Sequence, residues 1–190
     1  MGKLLLSLHG FHSSPESLKA RQLANYIKKQ HPEITYICPQ LPCLPEQMWQ
    51  LIELIFVEHT QDRIAVVGSS LGGYLATKVA EVYKSKVVLI NPAVTSYLLL
   101  QTYAGAQRHP YTGESYQINN SYINQLKELN VEKVSAPQNT WVLLQQGDEV
   151  LDYQQAMLKY QGCKITCETG GEHSFIGFER FIPDIIKFLF

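Results

Sequence analysis

The sequence predicts an α/β sandwich, a mostly parallel six-stranded sheet with helices on both faces. Three observations carry that expectation. Short apolar runs recur along the chain, most of them continuous rather than alternating, as in strands covered on both sides. Stretches with helical spacing of apolar residues separate most of these runs, which implies parallel strands joined by right-handed crossovers. The 190 residues, 45% apolar and 17% charged, suit one domain with a substantial core and are short for two.

The first strand is expected at Lys3–Leu8, followed by a helix over Ser17–Lys29 with Leu18, Leu23, Ala24 and Ile27 at roughly helical spacing. Ile34–Cys38 reads as the second strand. Pro45–Glu58 opens with proline in the first turn and continues through Met48, Leu51, Ile52 and Ile55, as a helix should. Ile64–Gly68, a helix over Leu71–Tyr83, and Lys86–Ile90 come next. The interval 91–137 then breaks the rhythm and shows no convincing strand. Its first half is apolar (Tyr97, Leu98, Leu99, Leu100, Tyr103) and its second half is polar and tyrosine-rich. A segment of that length is expected to be a lid or binding insert. The pattern resumes with Thr140–Gln145, a helix over Tyr153–Tyr160, a strand over Cys163–Glu168 and a last helix over Phe175–Phe188, with a kink expected at Pro183. No internal repeat or low-complexity segment interrupts the chain. Residues 1–190 therefore read as one domain carrying the 91–137 insert.

Charge and targeting signals narrow the function. The net charge is −1 and no basic run occurs, so nucleic acid is not an expected partner. No apolar run reaches the ~18 residues that a membrane helix needs. The start, MGKLLLSLHG, has too short an apolar part for a signal peptide, and no small-residue cleavage site follows. Leu6 stands where myristoylation would want Ser or Thr. A soluble cytoplasmic protein is the expectation. Cys38, Cys43, Cys163 and Cys167 lack C-x2-C spacing. Cys163 and Cys167 alternate with Ile165, so reduced structural thiols are expected.

The chemistry centres on AVVGSSLGGYLA, residues 65–76. Gly68-x-Ser70-x-Gly72 follows a strand and opens a helix, the context of a nucleophile elbow. Its glycines let strand and helix nearly touch, and the turn lifts the Ser70 hydroxyl over the carboxyl end of the sheet. A phosphate loop is excluded, because neither Gly-Lys-Ser/Thr nor G-x-G-x-x-G occurs here. A serine hydroxyl needs a base. His173, in ETGGEHS between the last strand and last helix, occupies the loop where that base belongs. His12, His31, His59 and His109 lie in an early loop, near helix ends or in the insert. The imidazole needs an acid to hold its tautomer. Asp148, directly after the fifth strand, is favoured, and Asp152 is the alternative, equally able to cap the next helix. Donors for an oxyanion would be the Leu71 amide and, in the loop LHGFHSSP, the Phe11 amide. His9 is expected to order that loop. Leu98, Leu99 and Tyr103, together with Phe11, are candidates to line an apolar acyl pocket.

Over nearly its whole length the chain resembles the small bacterial YqiA-like esterases of the α/β-hydrolase superfamily. LHGFHSSPES, VGSSLGGYLA, LINPAV, PYTGE, LLQQGDEVLDY and GGEHSF–GFE carry the likeness. The resemblance implies a compact hydrolase fold without the first two strands of larger members, with sheet order 2-1-3-4-5-6. It also implies carboxylesterase or acyl-thioesterase activity, with a triad of Ser70, Asp148 and His173. One departure is that Gly147 abuts Asp148, where a common superfamily spelling has two intervening residues. The expected partner is a small acyl ester or thioester, with no metal and no cofactor required. The competing expectation is a non-catalytic hydrolase-fold binding module, which fluorophosphonate labelling would distinguish.

Overall fold

The structure, a computed structural model, describes all residues from Met1 to Phe190. Strands and helices alternate from the start: β1 (Lys3–Leu8), α1 (Leu18–Gln30), β2 (Ile34–Ile37), α2 (Pro45–Glu58), β3 (Arg63–Ser69), α3 (Leu71–Tyr83) and β4 (Val87–Ile90). The insert holds α4 (Ser96–Gln101), β5 (Gly105–Arg108), β6 (Ser115–Ile118) and α5 (Asn120–Glu128). The chain closes with β7 (Thr140–Gln145), α6 (Tyr153–Lys159), β8 (Lys164–Glu168) and α7 (Ile182–Leu189).

Six strands form one sheet in the order β2-β1-β3-β4-β7-β8, and every neighbouring pair is parallel. With the hairpin strands set aside, this is the order expected from the sequence. Burial on both faces explains the continuous apolar runs. In β1, Leu4 and Leu6 face one core while Leu5 faces the other, and all three are fully buried. The larger core packs Met48 and Ile52 of α2, Leu75 and Val79 of α3, and Leu126 of α5 against the sheet. The second core packs Leu23 and Ile27 of α1 and Ile182 and Ile185 of α7 on the opposite face. Helices α1 and α2 therefore leave the sheet on opposite sides. Such a switch, between β1 and β3, opens a crevice at the carboxyl ends of those strands.

Two expectations need correction. The 91–137 interval does contain strands: β5 and β6 form an antiparallel hairpin, with Gly105 opposite Ile118 and Arg108 opposite Ser115. Each strand has only four residues, and most of their side chains are half-buried or exposed. The apolar signal that marks a core strand is therefore missing. The last helix is also shorter than expected. Phe175 (φ 64°) and Gly177 (φ 72°) are left-handed, a 3-10 turn spans Phe178–Phe181, and the α-helix starts at Ile182. Pro183 sits in its first turn and does not kink it, since that position needs no intrahelical N–H donor.

The four cysteines are unpaired. Cys163, Ile165 and Cys167 all pack against the larger core, as their alternation suggested. No helix is long and apolar enough to cross a membrane.

Candidate active site

The end of β3 turns into α3 through a residue held in a rarely populated backbone conformation: Ser70 has φ 56° and ψ −118°. Such strain persists only where the surroundings over-determine it. Here the Ser70 amide donates to the Ile90 carbonyl (3.0 Å), and the Ser70 carbonyl accepts from the amides of Gly73, Tyr74 and Ala93 (2.9–3.1 Å). A side chain at Gly68 would collide with the Gly72 carbonyl, and one at Gly72 with the Leu8 carbonyl. Those two glycines allow β1, β3 and α3 to approach closely, and the turn lifts the Ser70 side chain to the carboxyl edge.

Two further loops converge on it. The loop after β7 brings Asp148, and the loop after β8 brings His173. His173 Nε2 lies 3.1 Å from Ser70 Oγ, and its Nδ1 lies 2.8 Å from Asp148 Oδ2. The Asp148 carboxylate is 2% exposed and the His173 side chain 23%. Asp148 Oδ1 also accepts the amides of Val150 (2.9 Å) and Leu151 (2.8 Å). Asp152 is engaged elsewhere, capping α6 by accepting the Gln154 amide (2.9 Å).

The loop after β1 closes the other side. A Cβ on Gly10 would stand 3.2 Å from Ser70 Cβ, so glycine lets this backbone pass beside the serine. Phe11 follows, and its amide has no acceptor among the loop hydrogen bonds. Leu71, the first residue of α3, has no intrahelical acceptor for its amide. His9 is a fastener, 5% exposed. Its Nδ1 donates to the Gly10 carbonyl (3.0 Å), while Nε2 accepts the Leu41 amide (3.0 Å). Burial lowers its pKa below the ordinary histidine value, which suits the neutral ring that this pairing requires.

Three residues that sequence reasoning passed over hold His173 in place. Asn91, 2% exposed and left-handed (φ 38°), donates from Nδ2 to the carbonyls of Glu172 (3.0 Å) and His173 (3.2 Å). Its Oδ1 accepts the Gln145 amide (3.0 Å). The Gln145 side chain accepts the amides of Glu172 and Ile176 and donates to the Ile176 carbonyl. Glu149 accepts the His173 amide (2.9 Å), which holds its carboxyl below the ordinary range. A signal existed: Asn91 and Gln145 are polar residues that directly end or follow fully buried strands, where an unpaired amide would be costly.

The substrate-lining candidates fall apart spatially. A cavity of about 150 Å³ beside Ser70 and His173 includes Phe11 but none of Leu98, Leu99 or Tyr103. Leu98 and Leu99 line a neighbouring cleft of about 440 Å³ with Val94, Val150 and Leu151. The Tyr103 ring tilts against the Phe11 ring, centroids 5.8 Å apart.

The sheet order and the strand–serine–helix elbow define an α/β-hydrolase fold. The chain belongs to the uncharacterised protein family UPF0227, whose model matches residues 4–190. Among solved structures it is similar to mouse alpha/beta hydrolase domain-containing protein 10, at 18% identity and a TM-score of 0.72, covering 98% of this chain and 91% of that one. Est1E from Butyrivibrio proteoclasticus matches at 15% identity and a TM-score of 0.73, covering 98% and 86%. The esterase domain of a Rhodothermus marinus protein matches at 14% identity and a TM-score of 0.68, covering 97% and 84%. At such identities these likenesses establish the fold.

Proposed function

We propose that this protein is a serine hydrolase that cleaves carboxylic esters or acyl thioesters through an acyl-enzyme. The observation that carries the reading is the unbroken contact from Asp148 through His173 to Ser70 at the carboxyl edge of the sheet. In this reading Ser70 Oγ attacks the acyl carbonyl carbon and its proton passes to His173 Nε2. The carbonyl oxygen becomes an oxyanion, facing the free amides of Phe11 and Leu71. As the tetrahedral centre collapses, the bond to the leaving oxygen or sulfur breaks, and His173 returns the proton to that atom. Water, deprotonated by His173, then attacks the acyl-enzyme; the bond from the acyl carbon to Ser70 Oγ breaks, His173 returns the proton to Oγ, and the acid leaves. Asp148 keeps the proton of the resting imidazole on Nδ1, so that Nε2 is free to accept, and stabilises the charged ring.

The cleft lined by Leu98 and Leu99 would take the apolar part of a substrate, while Phe11, with the Tyr103 ring tilted against it, would line the separate cavity beside Ser70. The 91–137 segment would act as the cover of a single hydrolase domain. The hydrolase and esterase names of the structural relatives fit this reading.

Intact-mass analysis after exposure to a fluorophosphonate tests it directly. The expected result is one covalent adduct on the unaltered chain and on Ser69→Ala, none on Ser70→Ala, and ester hydrolysis lost in Ser70→Ala alone. No adduct on a folded, unaltered chain would favour a binding module. An adduct that survives Ser70→Ala and disappears in Ser69→Ala would move the nucleophile.

A further inference from the structure

The cavity beside Ser70 differs in character from the Leu98–Leu99 cleft. Val67 and Ile90 contribute apolar surface to it, yet Ser13, Ser17 and Ser174 line it, and so does a cation, Lys19 of α1. Lys19 Nζ donates one hydrogen bond, to the Ser174 carbonyl at 2.7 Å. An ammonium carries three donors, so two are left without a protein acceptor. Burial lowers the Lys19 pKa, and the nearby Glu172 carboxylate opposes that shift without cancelling it. Glu172 also accepts the Ser174 hydroxyl. A partly buried cation with unused donors is costly next to a pocket that receives only hydrocarbon, and it is stabilised by an anion.

We propose that this cavity is a carboxylate subsite and that the preferred substrate is an ester bearing a carboxylate a few atoms from the scissile carbonyl, held by Lys19. The inference rests on the serine-hydrolase reading above. A volume of about 150 Å³ has room for a short acidic chain. One cation with a few hydroxyls suits a monoanion better than a phosphate dianion. The charged end of the substrate then lies on the α1 side of Ser70 and the apolar end in the Leu98–Leu99 cleft. The carboxylate can belong to the acyl part or to the alcohol, and the two sources are separable by experiment.

Two matched pairs of esters provide the test. The first compares 4-nitrophenyl hydrogen glutarate with 4-nitrophenyl pentanoate, which places the charge on the acyl part. The second compares O-butyryl glycolate with its methyl ester, which places it on the alcohol. In at least one pair kcat/KM should favour the anionic member, and that pair identifies the source. Lys19→Gln and Lys19→Met should reduce this preference by about tenfold to a hundredfold, the worth of a hydrogen bond to a charged group, while Lys19→Arg preserves its direction. Preference for the neutral member in both pairs would overturn the inference. So would an equal loss on both members of a pair, since Lys19 would then act only by pinning the loop that carries His173. An independent arm uses folded Ser70→Ala protein, titrated in turn with monomethyl glutarate and with O-butyryl glycolate and followed by NMR. Saturable shifts around Lys19 with at least one of them, lost in the Lys19→Gln background, support the subsite, and their absence with both overturns it. Failure of fluorophosphonate labelling would sink the hydrolase reading instead, and the two failures are thereby distinguished.

Discussion

The carboxyl edge of the sheet and the 91–137 insert lie side by side but are built on opposite terms. At the edge, the Ser70 backbone makes four hydrogen bonds, Gly68 and Gly72 leave no space for a Cβ, and Asn91 and Gln145 tie the His173 loop from beneath. Nothing there can shift independently. The insert is anchored from below by Ile118, Tyr122 and Leu126 in the larger core. It also reaches the loop after β1, where His12 Nε2 pairs with the Tyr116 hydroxyl at 2.8 Å. Its upper surface is solvent-facing, with Leu98 54% exposed and Tyr111 64% exposed. In the proposed hydrolase, the difference separates two jobs. Reacting groups need fixed geometry, supplied by close backbone approach and buried amides. Substrate choice can reside in exposed side chains that change without refolding the protein.

The largest effect is expected at the rigid edge. Asp148→Asn should lower turnover by about 10⁴-fold, because an asparagine favours the wrong imidazole tautomer, with little change in melting temperature. Asp152→Asn should do the reverse, removing a helix cap worth about 1 kcal/mol and changing turnover little. Turnover and thermal stability measured side by side on both variants decide the matter. A collapse in Asp152→Asn beside near-normal Asp148→Asn would move the acid.

Next comes the support under the histidine. Asn91→Gly tolerates the positive φ and removes the side-chain bonds to the Glu172 and His173 carbonyls. Turnover should fall by roughly tenfold to a hundredfold, as expected when a reacting group is displaced by about 1 Å, with a smaller change in KM. Hydrogen exchange of the 172–176 segment should accelerate in parallel. Unchanged exchange with unchanged turnover would show that the His173 loop holds itself.

The insert should respond differently. Joint replacement of Leu98 and Leu99 by alanine removes apolar wall, worth about 0.8 kcal/mol for each substrate CH₂ that loses its burial. The ratio of rates on long and short acyl chains should therefore fall several-fold, while rates on the shortest chains change least. Equal losses at every chain length would show that these leucines stabilise the insert without selecting the substrate.

The smallest effect concerns acid. The folded protein holds His9 below its ordinary pKa of 6.5, so the unfolded chain binds the proton first. Unfolding free energy should accordingly decline as pH falls through about 6.5, by at most about 1.4 kcal/mol per pH unit for this one group. Urea unfolding between pH 7.5 and pH 5 should show a shallower decline in His9→Asn. An identical slope would assign the acid sensitivity elsewhere, with His12, also lowered by burial, as the next group to replace.

Much of this molecule was legible from local pattern. The continuous apolar runs gave the six sheet strands, because burial on both faces removes polar alternation. The elbow was readable because Gly68, Ser70 and Gly72 meet a steric requirement that is local to one turn. The hairpin of β5 and β6 was not readable. Its strands are short and mostly uncovered, so residues such as Gly105, Ala106 and Gln107 carry no burial signal. The last helix is shorter than its apolar spacing predicts for a related reason. Apolar spacing continues through Phe175, Phe178, Phe181 and Ile182, yet the left-handed turns at Phe175 and Gly177 interrupt the helix while still burying the Phe175 and Phe178 rings and partly burying Phe181.

The sequence by itself determined which residues can form strands, where the tight turn falls, and in what order a serine, an acid and a histidine arrive at loop positions after strands. Those features depend on steric volume, periodicity and chain order, all of which are local. Only the tertiary structure decided that Asp148 meets His173 while Asp152 caps α6, and that Asn91 and Gln145 support the histidine from strands beside it. It also decided that Lys19, from a helix near the start of the chain, lines the cavity beside Ser70. Each of these depends on a contact between segments far apart in sequence, set by sheet register and helix placement, and no local pattern encodes that distance.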